Sequence, residues 1–100
     1  MDFSYSLFKQ GNDTILAISD SSIIGKTFED DELTLTVSKD FYGGNKCDIR
    51  DALNLIKNAT IVNAVGKNIV ELMIKKNFIN RNTVLFISDI PHAQIISVVK

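Results

Sequence analysis

The chain of 100 residues contains one cysteine, one proline, one histidine and no long apolar segment. With Cys47 alone, no disulfide can form within the chain, and a lone thiol is typical of a reducing compartment. The longest apolar runs, 83–87 and 95–99, fall far short of the ~20 residues that a membrane-spanning helix needs. No spacing of cysteine and histidine fits a zinc site. These absences favour a soluble cytoplasmic protein with no metal, no other cofactor and no membrane contact.

An excess of charge of one sign is also missing, since 11 Lys and Arg face 12 Asp and Glu. This balance excludes a strongly basic nucleic-acid-binding protein and an acidic tail, although a local basic patch stays open. Hydrophobic residues make up 45% and charged residues 23% of the chain, close to the average of globular proteins. A chain of this length can bury one core without disulfides or metal. We therefore predict a single domain over residues 1–100.

Local patterns predict an α+β domain with a mixed sheet, two main helices and the order β-β-β-α-β-α-β-β. Predicted strands cover 4–10, 14–19, 33–38, 60–65, 83–88 and 93–99. The first two form a hairpin around Gly11-Asn12-Asp13. Helices are expected from Asp48, with Asp51 in a capping-box-like position, and over 67–77.

Three further expectations concern how these elements are arranged. The continuous apolar run 83–88 indicates a strand in the middle of the sheet. The second half of the chain resembles a βαβ crossover, with both helices on one face of the sheet. Because two aromatic residues stand beside two glycines, Phe41-Tyr42-Gly43-Gly44 is expected to be a loop or tight turn.

Two early segments contain candidate binding residues. Gly25-Lys26-Thr27-Phe28 lacks the spacing of a phosphate-binding loop, so Lys26 is either an exposed lysine after a helix-capping glycine or a contact for an anion. The rings of Phe41 and Tyr42 either stack on a base or a peptide proline, or fold back onto the core.

The segment Asn63-Ala64-Val65-Gly66-Lys67 joins a strand to a helix. The first backbone N–H groups of a helix have no partner within it, and together with the helix dipole they favour an anion. Gly66 would let a phosphate approach closely, and Lys67 would add positive charge. Asn63 faces away from the core if Val62 and Ala64 are buried, and otherwise bonds to nearby loop backbone.

The fourth segment, Pro91-His92-Ala93-Gln94, holds the histidine and the proline of the chain. His92 can serve as acid, base, ligand or stacking group, and Gln94 shares its strand face. The alternative is a polar turn. Pairing of His92 with Cys47 or a serine would give a nucleophile and a base, but no spacing selects such a pair. We therefore assign no catalytic residue, and binding is favoured over catalysis.

In this order, the four segments resemble the archaeal domain-of-unknown-function family number 424 over nearly the whole chain. The matching motif positions are Gly25, Lys26, Phe28, Phe41, Tyr42, Gly43, Gly44, Asn63, Gly66, Pro91, His92 and Gln94. Members of that family are small single-domain archaeal proteins of uncharacterised function, some of them described as predicted RNA-binding proteins. The resemblance therefore implies an archaeal-type protein of that kind.

The leading interpretation is a module that binds structured RNA or a ribonucleoprotein in a translation-related setting. Its predicted binding residues are Lys26, Phe41, Tyr42, Asn63, Gly66, Lys67, His92 and Gln94. The lysines and the helix start would hold phosphates, an aromatic ring would stack on a base, and the imidazole with Gln94 would contact base edges or the 2′-hydroxyl.

Two alternatives stay open: a protein–protein interaction module and a small nucleotide- or ligand-binding enzyme around His92. Basic groups that converge on one face would favour RNA, and a closed pocket around His92 would favour a ligand. An exposed apolar patch would favour a protein partner.

Overall fold

In the computed structural model, which describes residues 2–97, the chain forms a six-stranded mixed sheet, a two-stranded sheet and three α-helices. The strands are β1 (Phe3–Gln10), β2 (Asp13–Asp20), β3 (Thr27–Glu29), β4 (Thr34–Thr36), β5 (Asn45–Cys47), β6 (Ile61–Val65), β7 (Leu85–Ile87) and β8 (Ile90–Ile96). The helices are α1 (Lys39–Tyr42), α2 (Ile49–Asn58) and α3 (Lys67–Lys75). The predicted α+β class, with a mixed sheet and two main helices, is confirmed.

The large sheet has the strand order β5-β1-β2-β6-β8-β7. Strands β2 and β6 are parallel, and the other neighbours are antiparallel. The predicted hairpin of β1 and β2 is confirmed, and Gly11 takes a φ of +60° at its turn, which suits glycine in a two-residue hairpin loop. Strands β6 and β7 are both antiparallel to β8, which lies between them, so β7 runs parallel to β6 after α3. The predicted βαβ crossover in the second half is therefore present, with one strand inserted between its two parallel strands.

Helices α2 and α3 cover one face of the large sheet, as predicted. Helix α2 begins at Asp48, whose side chain accepts a hydrogen bond from the Asp51 N–H at 2.9 Å, so the predicted cap is confirmed. The buried side chains between this helix layer and the sheet include Phe3, Leu16, Ile18, Ala52, Ile56, Val62, Ala64, Ile69, Val70, Met73 and Ala93. Burial of these side chains supplies most of the stabilisation of the domain.

A smaller layer packs against part of the opposite face. It consists of α1 and the hairpin of β3 with β4, and its core is formed by Ala17, Val37, Tyr42 and Val65. The predicted strand over 33–38 is shorter than expected and pairs with β3 outside the large sheet. The sequence analysis missed β3 and β5 because each has only three residues, too few for a visible alternation.

Only Gly43 and Gly44 of the predicted loop 41–44 lie in a loop, between α1 and β5. Phe41 and Tyr42 end helix α1, which begins after Ser38, and the Ser38 side chain accepts a hydrogen bond from the Phe41 N–H at 3.1 Å. Gly43 follows as the C-terminal cap. A helix of four residues is too short to show a helical period, which explains the error.

The apolar run 83–88 lies at the edge of the sheet and not in its middle. Its strand, β7, is confined to Leu85–Ile87 and pairs with β8 alone. Side chains of Leu85 and Phe86 are 60% and 61% exposed. An apolar run does not distinguish a central strand from an unprotected edge, because both are rich in large side chains.

The last strand begins earlier than predicted, at Ile90, so Pro91 lies inside it. The Pro91 carbonyl accepts a hydrogen bond from the Gly66 N–H at 3.0 Å, so this proline still takes part in the sheet. The predicted end of the strand, residues 98 and 99, lies outside the described residues.

Candidate binding surface

The part of the sheet that faces away from α2 and α3 is only partly covered. Strand register places its side chains in rows that cross four strands. One row, the apolar row, runs Phe8, Ile15, Ile61 and Ile96 across β1, β2, β6 and β8. The next row contains Ala17, Asn63 and Gln94. Asn63 and Gln94 are directly paired on the neighbouring strands β6 and β8, and we call these two residues the amide pair. We call the apolar row and the amide pair together the open face.

None of the four side chains in the apolar row packs against either core cluster. Phe8 is 37% exposed and Ile96 is 64% exposed, whereas Ile15 and Ile61 are partly buried. Within residues 2–97, the second layer meets this row at Phe8, where the Phe41 ring of α1 stacks on it. The row therefore leaves large apolar side chains facing solvent, side by side, which is unusual for a surface that binds nothing.

His92 and Gln94 share one face of β8, as predicted. His92 pairs with Val65 on β6 and with Leu85 on β7. Burial lowers the pKa of His92 below its usual value, because removal from water penalises the charged imidazolium. The imidazole therefore borders the open face as a neutral group at pH 7, able to donate one hydrogen bond and accept another.

The two predicted stacking residues have different surroundings. Tyr42 is only 6% exposed and belongs to the second core cluster, so it cannot serve as a stacking platform. Phe41 is partly buried and stacks on Phe8, with ring centroids 5.4 Å apart and planes 13° apart. Phe41 also packs against the second core cluster. Both rings therefore fold back onto the core, and Phe41 in addition contacts the Phe8 end of the apolar row.

The start of α3 already holds an anion that the chain itself supplies. The Asp20 carboxylate accepts hydrogen bonds from the N–H groups of Asn68 at 2.9 Å and Ile69 at 2.8 Å. Burial raises the pKa of Asp20, and these two hydrogen bonds act in the opposite direction. As expected, these amides have no partner within the helix, but the Asp20 carboxylate of β2 occupies the place where Gly66 and Lys67 were expected to hold a phosphate.

Gly66 has a structural role in this arrangement. Its φ is +125°, and a Cβ built on it would lie 2.5 Å from the Asp20 Cγ. A glycine is required because Asp20 approaches so closely and the backbone is left-handed. The sequence located this junction correctly but identified the wrong anion, since nothing in the local pattern links Asp20 to a helix that begins 47 positions further on, at Lys67.

Basic groups do not converge on the open face. Lys26 is exposed just before β3, Lys67 is exposed at the start of α3, and Arg50 lies on α2. Lys46 lies on β5, at the opposite edge of the sheet from β8. The convergence that would have favoured RNA is therefore not found among these residues.

The structure also separates the two residues of the hypothetical catalytic pair. Cys47 is on β5 and His92 on β8, four strand positions apart, which corresponds to about 19 Å. Cys47 faces the helix layer, and burial, followed by the nearby Asp51, Asp48 and Asp2, raises the pKa of its thiol to about 11. Such a thiol carries almost no thiolate at pH 7 and is inert as a nucleophile.

Of the predicted residues, the structure brings together Asn63, His92 and Gln94, with Phe41 at the margin through its contact with Phe8. The sequence analysis missed the apolar row. Alternation within each strand could have assigned each of its four residues to a face, but only strand order and register show that they align.

Among the helices of residues 2–97, none combines the length and the apolar character needed to cross a bilayer. This finding agrees with the short apolar runs of the sequence.

Comparison with known proteins adds a family and a fold. Residues 8–98 match the model of a family described as "Protein of unknown function (DUF424)". The chain is also similar to the crystal structure of an uncharacterized conserved protein from Methanopyrus kandleri, with a TM-score of 0.78 and 19% sequence identity. That alignment covers 100% of this chain and 96% of the other, and it supports the fold alone. No curated protein matches.

Proposed function

The chain belongs to the DUF424 family of proteins of unknown function, so its activity must be inferred from its own surface, and we propose that it is a protein-binding module that acts through the open face. The observation that carries this proposal is the apolar row, four large side chains aligned across four strands, of which Phe8 and Ile96 stay exposed.

Burial of the apolar row would supply the driving force for binding. Apolar surface contributes about 25 cal/mol for each Å² removed from water. Ile96 and Phe8, at the two ends of the row, are the most exposed of its members. A partner that covers both ends also covers Ile15 and Ile61 between them.

The amide pair and His92 would make binding directional. Asn63 and Gln94 each offer donors and an acceptor, and neither forms a side-chain hydrogen bond with the rest of residues 2–97. A partner that buries them has to supply complementary polar groups, because an unpaired buried amide is costly. This requirement would distinguish the correct partner from an arbitrary apolar surface.

The size of the open face indicates what the partner contributes. Four strands at about 4.8 Å spacing make the apolar row about 14 Å long. Including the amide pair, the area is a few hundred Å² at most, below the roughly 800 Å² that each partner buries in a standard interface. One helix, about 10 Å wide with its side chains, fits such a patch, so we expect an amphipathic helix of the partner.

RNA is the second candidate, and one observation favours it. The stacked rings of Phe8 and Phe41 lie on the same sheet face as side chains that can bond base edges, and both kinds of group can contribute to binding an unstacked base. The scattered lysines and the self-supplied anion at α3 leave few phosphate contacts. RNA binding on this face would therefore be weak and would depend only slightly on salt.

The proposal is tested by capture from an extract of cells that naturally contain the protein. Tagged wild type is compared with a Phe8→Ser, Ile96→Ser double variant, which removes both exposed ends of the apolar row. Leu33→Ser is the matched control, because Leu33 is 50% exposed at the tip of the other hairpin. Circular dichroism confirms that all three proteins fold.

We expect discrete proteins to be retained by the wild type and the Leu33→Ser control and lost with the double variant, with or without ribonuclease. Loss of retained material on ribonuclease treatment would favour the RNA candidate. Equal retention of the same proteins by all three forms would contradict a role for the open face.

A further inference from the structure

Strand β1 extends well beyond the strand that flanks it. Strand β5 pairs with β1 only from Phe3 to Tyr5, whereas β1 continues to Gln10. The chain reaches β5 directly after α1 and Gly43-Gly44, and the Gly44 N–H donates a hydrogen bond to the Ser6 Oγ at 3.0 Å. From residue 7 onward, no described strand lies beside the outer edge of β1.

Hydrogen-bonding groups point outward along this free edge. The hairpin closes with Gln10 paired to Asp13 across a two-residue turn, which makes that pair the first hydrogen-bonded one. Antiparallel pairing alternates, so the N–H and C=O groups of Lys9 and Leu7 point away from β2. The same alternation directs Tyr5 outward, and Tyr5 is indeed the last residue that pairs with β5. The loop and side-chain hydrogen bonds of residues 2–97 include none to the Leu7 or Lys9 backbone.

A groove of about 280 Å³ runs beside this edge, between β1 and α2. Its apolar residues are Tyr5, Leu7 and Leu55, and its polar residues are Thr14, Asp51, Asn54 and Asn58. Leu7 is 48% exposed there. The groove thus has room for one or two side chains, directly next to a strand edge with free backbone groups.

The charge of the groove is distributed unevenly. Asp51 lines it, and Asp48 lies between β5 and α2 as the N-terminal cap of the helix. At the far end of β1, the Lys9 ammonium donates a hydrogen bond to the Thr14 Oγ1 at 2.8 Å. The end of the groove next to β5 is therefore acidic.

We propose that an extended segment of a partner protein adds to the free edge of β1 in line with β5, with an apolar side chain in the groove and a lysine or arginine beside Asp51. In strand addition of this kind, backbone hydrogen bonds supply affinity and the pockets for alternate side chains supply specificity. Leu7 and Phe8 point to opposite faces of β1, so the side chain that enters the groove beside Leu7 lies on the other side of the sheet from the open face.

A displayed library of random peptides of about twelve residues tests the proposal, because strand addition needs only a short segment. The library is selected on the whole wild-type protein, and enriched peptides are measured by fluorescence anisotropy against three variants. Leu7→Pro removes an outward N–H and leaves the ladder to β2 intact, since proline is accepted at strand edges. Leu7→Val is its matched control. Asp51→Asn removes the charge, and the helix cap is kept because Asp48 accepts the hydrogen bond of the Asp51 N–H.

We expect enriched peptides that combine β-branched residues with a lysine or arginine. Their affinity should fall about tenfold with Leu7→Pro, change little with Leu7→Val, and fall severalfold with Asp51→Asn. On binding, the amide hydrogens of Leu7 and Lys9 should exchange more slowly with solvent. A library that yields no binders, or binders unaffected by both Leu7→Pro and Asp51→Asn, would overturn the proposal. The Leu33→Ser variant, which is changed in the hairpin of β3 and β4, should bind these peptides normally.

Discussion

Asp20 and Gly66 act as a pair that joins β2 to the start of α3. The carboxylate satisfies two helix amides, and the missing side chain at residue 66 makes room for it. Loss of an anionic cap of this kind costs about 1–2 kcal/mol. Asp20→Ala should therefore lower the free energy of unfolding by about that amount, as measured by denaturant titration.

The steric role of Gly66 can be separated from its conformational role. Gly25 also has a positive φ, +85°, but no heavy atom lies within 4 Å of a Cβ built on it. Gly25→Ala should cost only the roughly 1–2 kcal/mol of a left-handed backbone. Gly66→Ala should cost clearly more, because the added methyl group collides with Asp20. Equal losses in denaturant titrations of the two variants would show that the Asp20 contact is not close.

His92 should make the stability of the domain dependent on pH. Burial lowers its pKa in the folded protein, so the folded state binds the proton less tightly than the unfolded chain. The contribution of the neutral imidazole to the free energy of unfolding is complete above pH 6.5, the ordinary pKa of histidine in an unfolded chain. This contribution is lost as the pH falls below that value. We expect the free energy of unfolding to fall between pH 7.5 and pH 5, and to fall less in a His92→Gln variant. Identical pH profiles for the two proteins would refute this assignment.

At the scale of elements, the turn between β7 and β8 stores strain. Ser88 and Asp89 both take positive φ, +50° and +65°, and glycine is the preferred residue at the second of these positions in a two-residue hairpin. Asp89→Gly should raise the free energy of unfolding by about 0.5–1 kcal/mol. As a control, Gly11→Ala should lower it, because Gly11 has a φ of +60° in the other hairpin. A loss of stability in Asp89→Gly would mean that the Asp89 side chain makes a contact worth more than the strain.

The predictable elements are those that are long enough to show a periodic pattern or that begin or end at a distinct capping or turn residue. The hairpin of β1 and β2, the start of α2 at Asp48 and the strand before Gly66 could all be inferred from the sequence. The run 83–88 was misplaced because apolar content does not reveal how many neighbours a strand has. Elements of three or four residues, such as β3, β5 and α1, depend on tertiary contacts, and their own sequences are too short to specify them.

At the scale of the whole molecule, the candidate surfaces arise from register and strand order. The sequence predicted that His92 and Gln94 share a strand face and that Asn63 faces away from buried Val62 and Ala64. It could not show which residues of the neighbouring strands align in the apolar row. Lys26 and Lys67 were selected by motif, and the fold leaves both away from the aligned row. Contacts between residues so distant along the chain are set by the assembled sheet, which a local pattern does not encode.

The central claim, that the open face binds a protein partner, is tested most directly by site-specific photo-crosslinking in the native cell. A photoreactive amino acid replaces Gln94 on the open face, and in a second protein it replaces Lys76, which is exposed at the end of α3. We expect a discrete protein adduct from position 94 and none from position 76. The adduct from position 94 should resist ribonuclease, and it should be lost when Phe8→Ser and Ile96→Ser are added. Adducts of equal yield from both positions, or an adduct from 94 that ribonuclease removes, would contradict the claim.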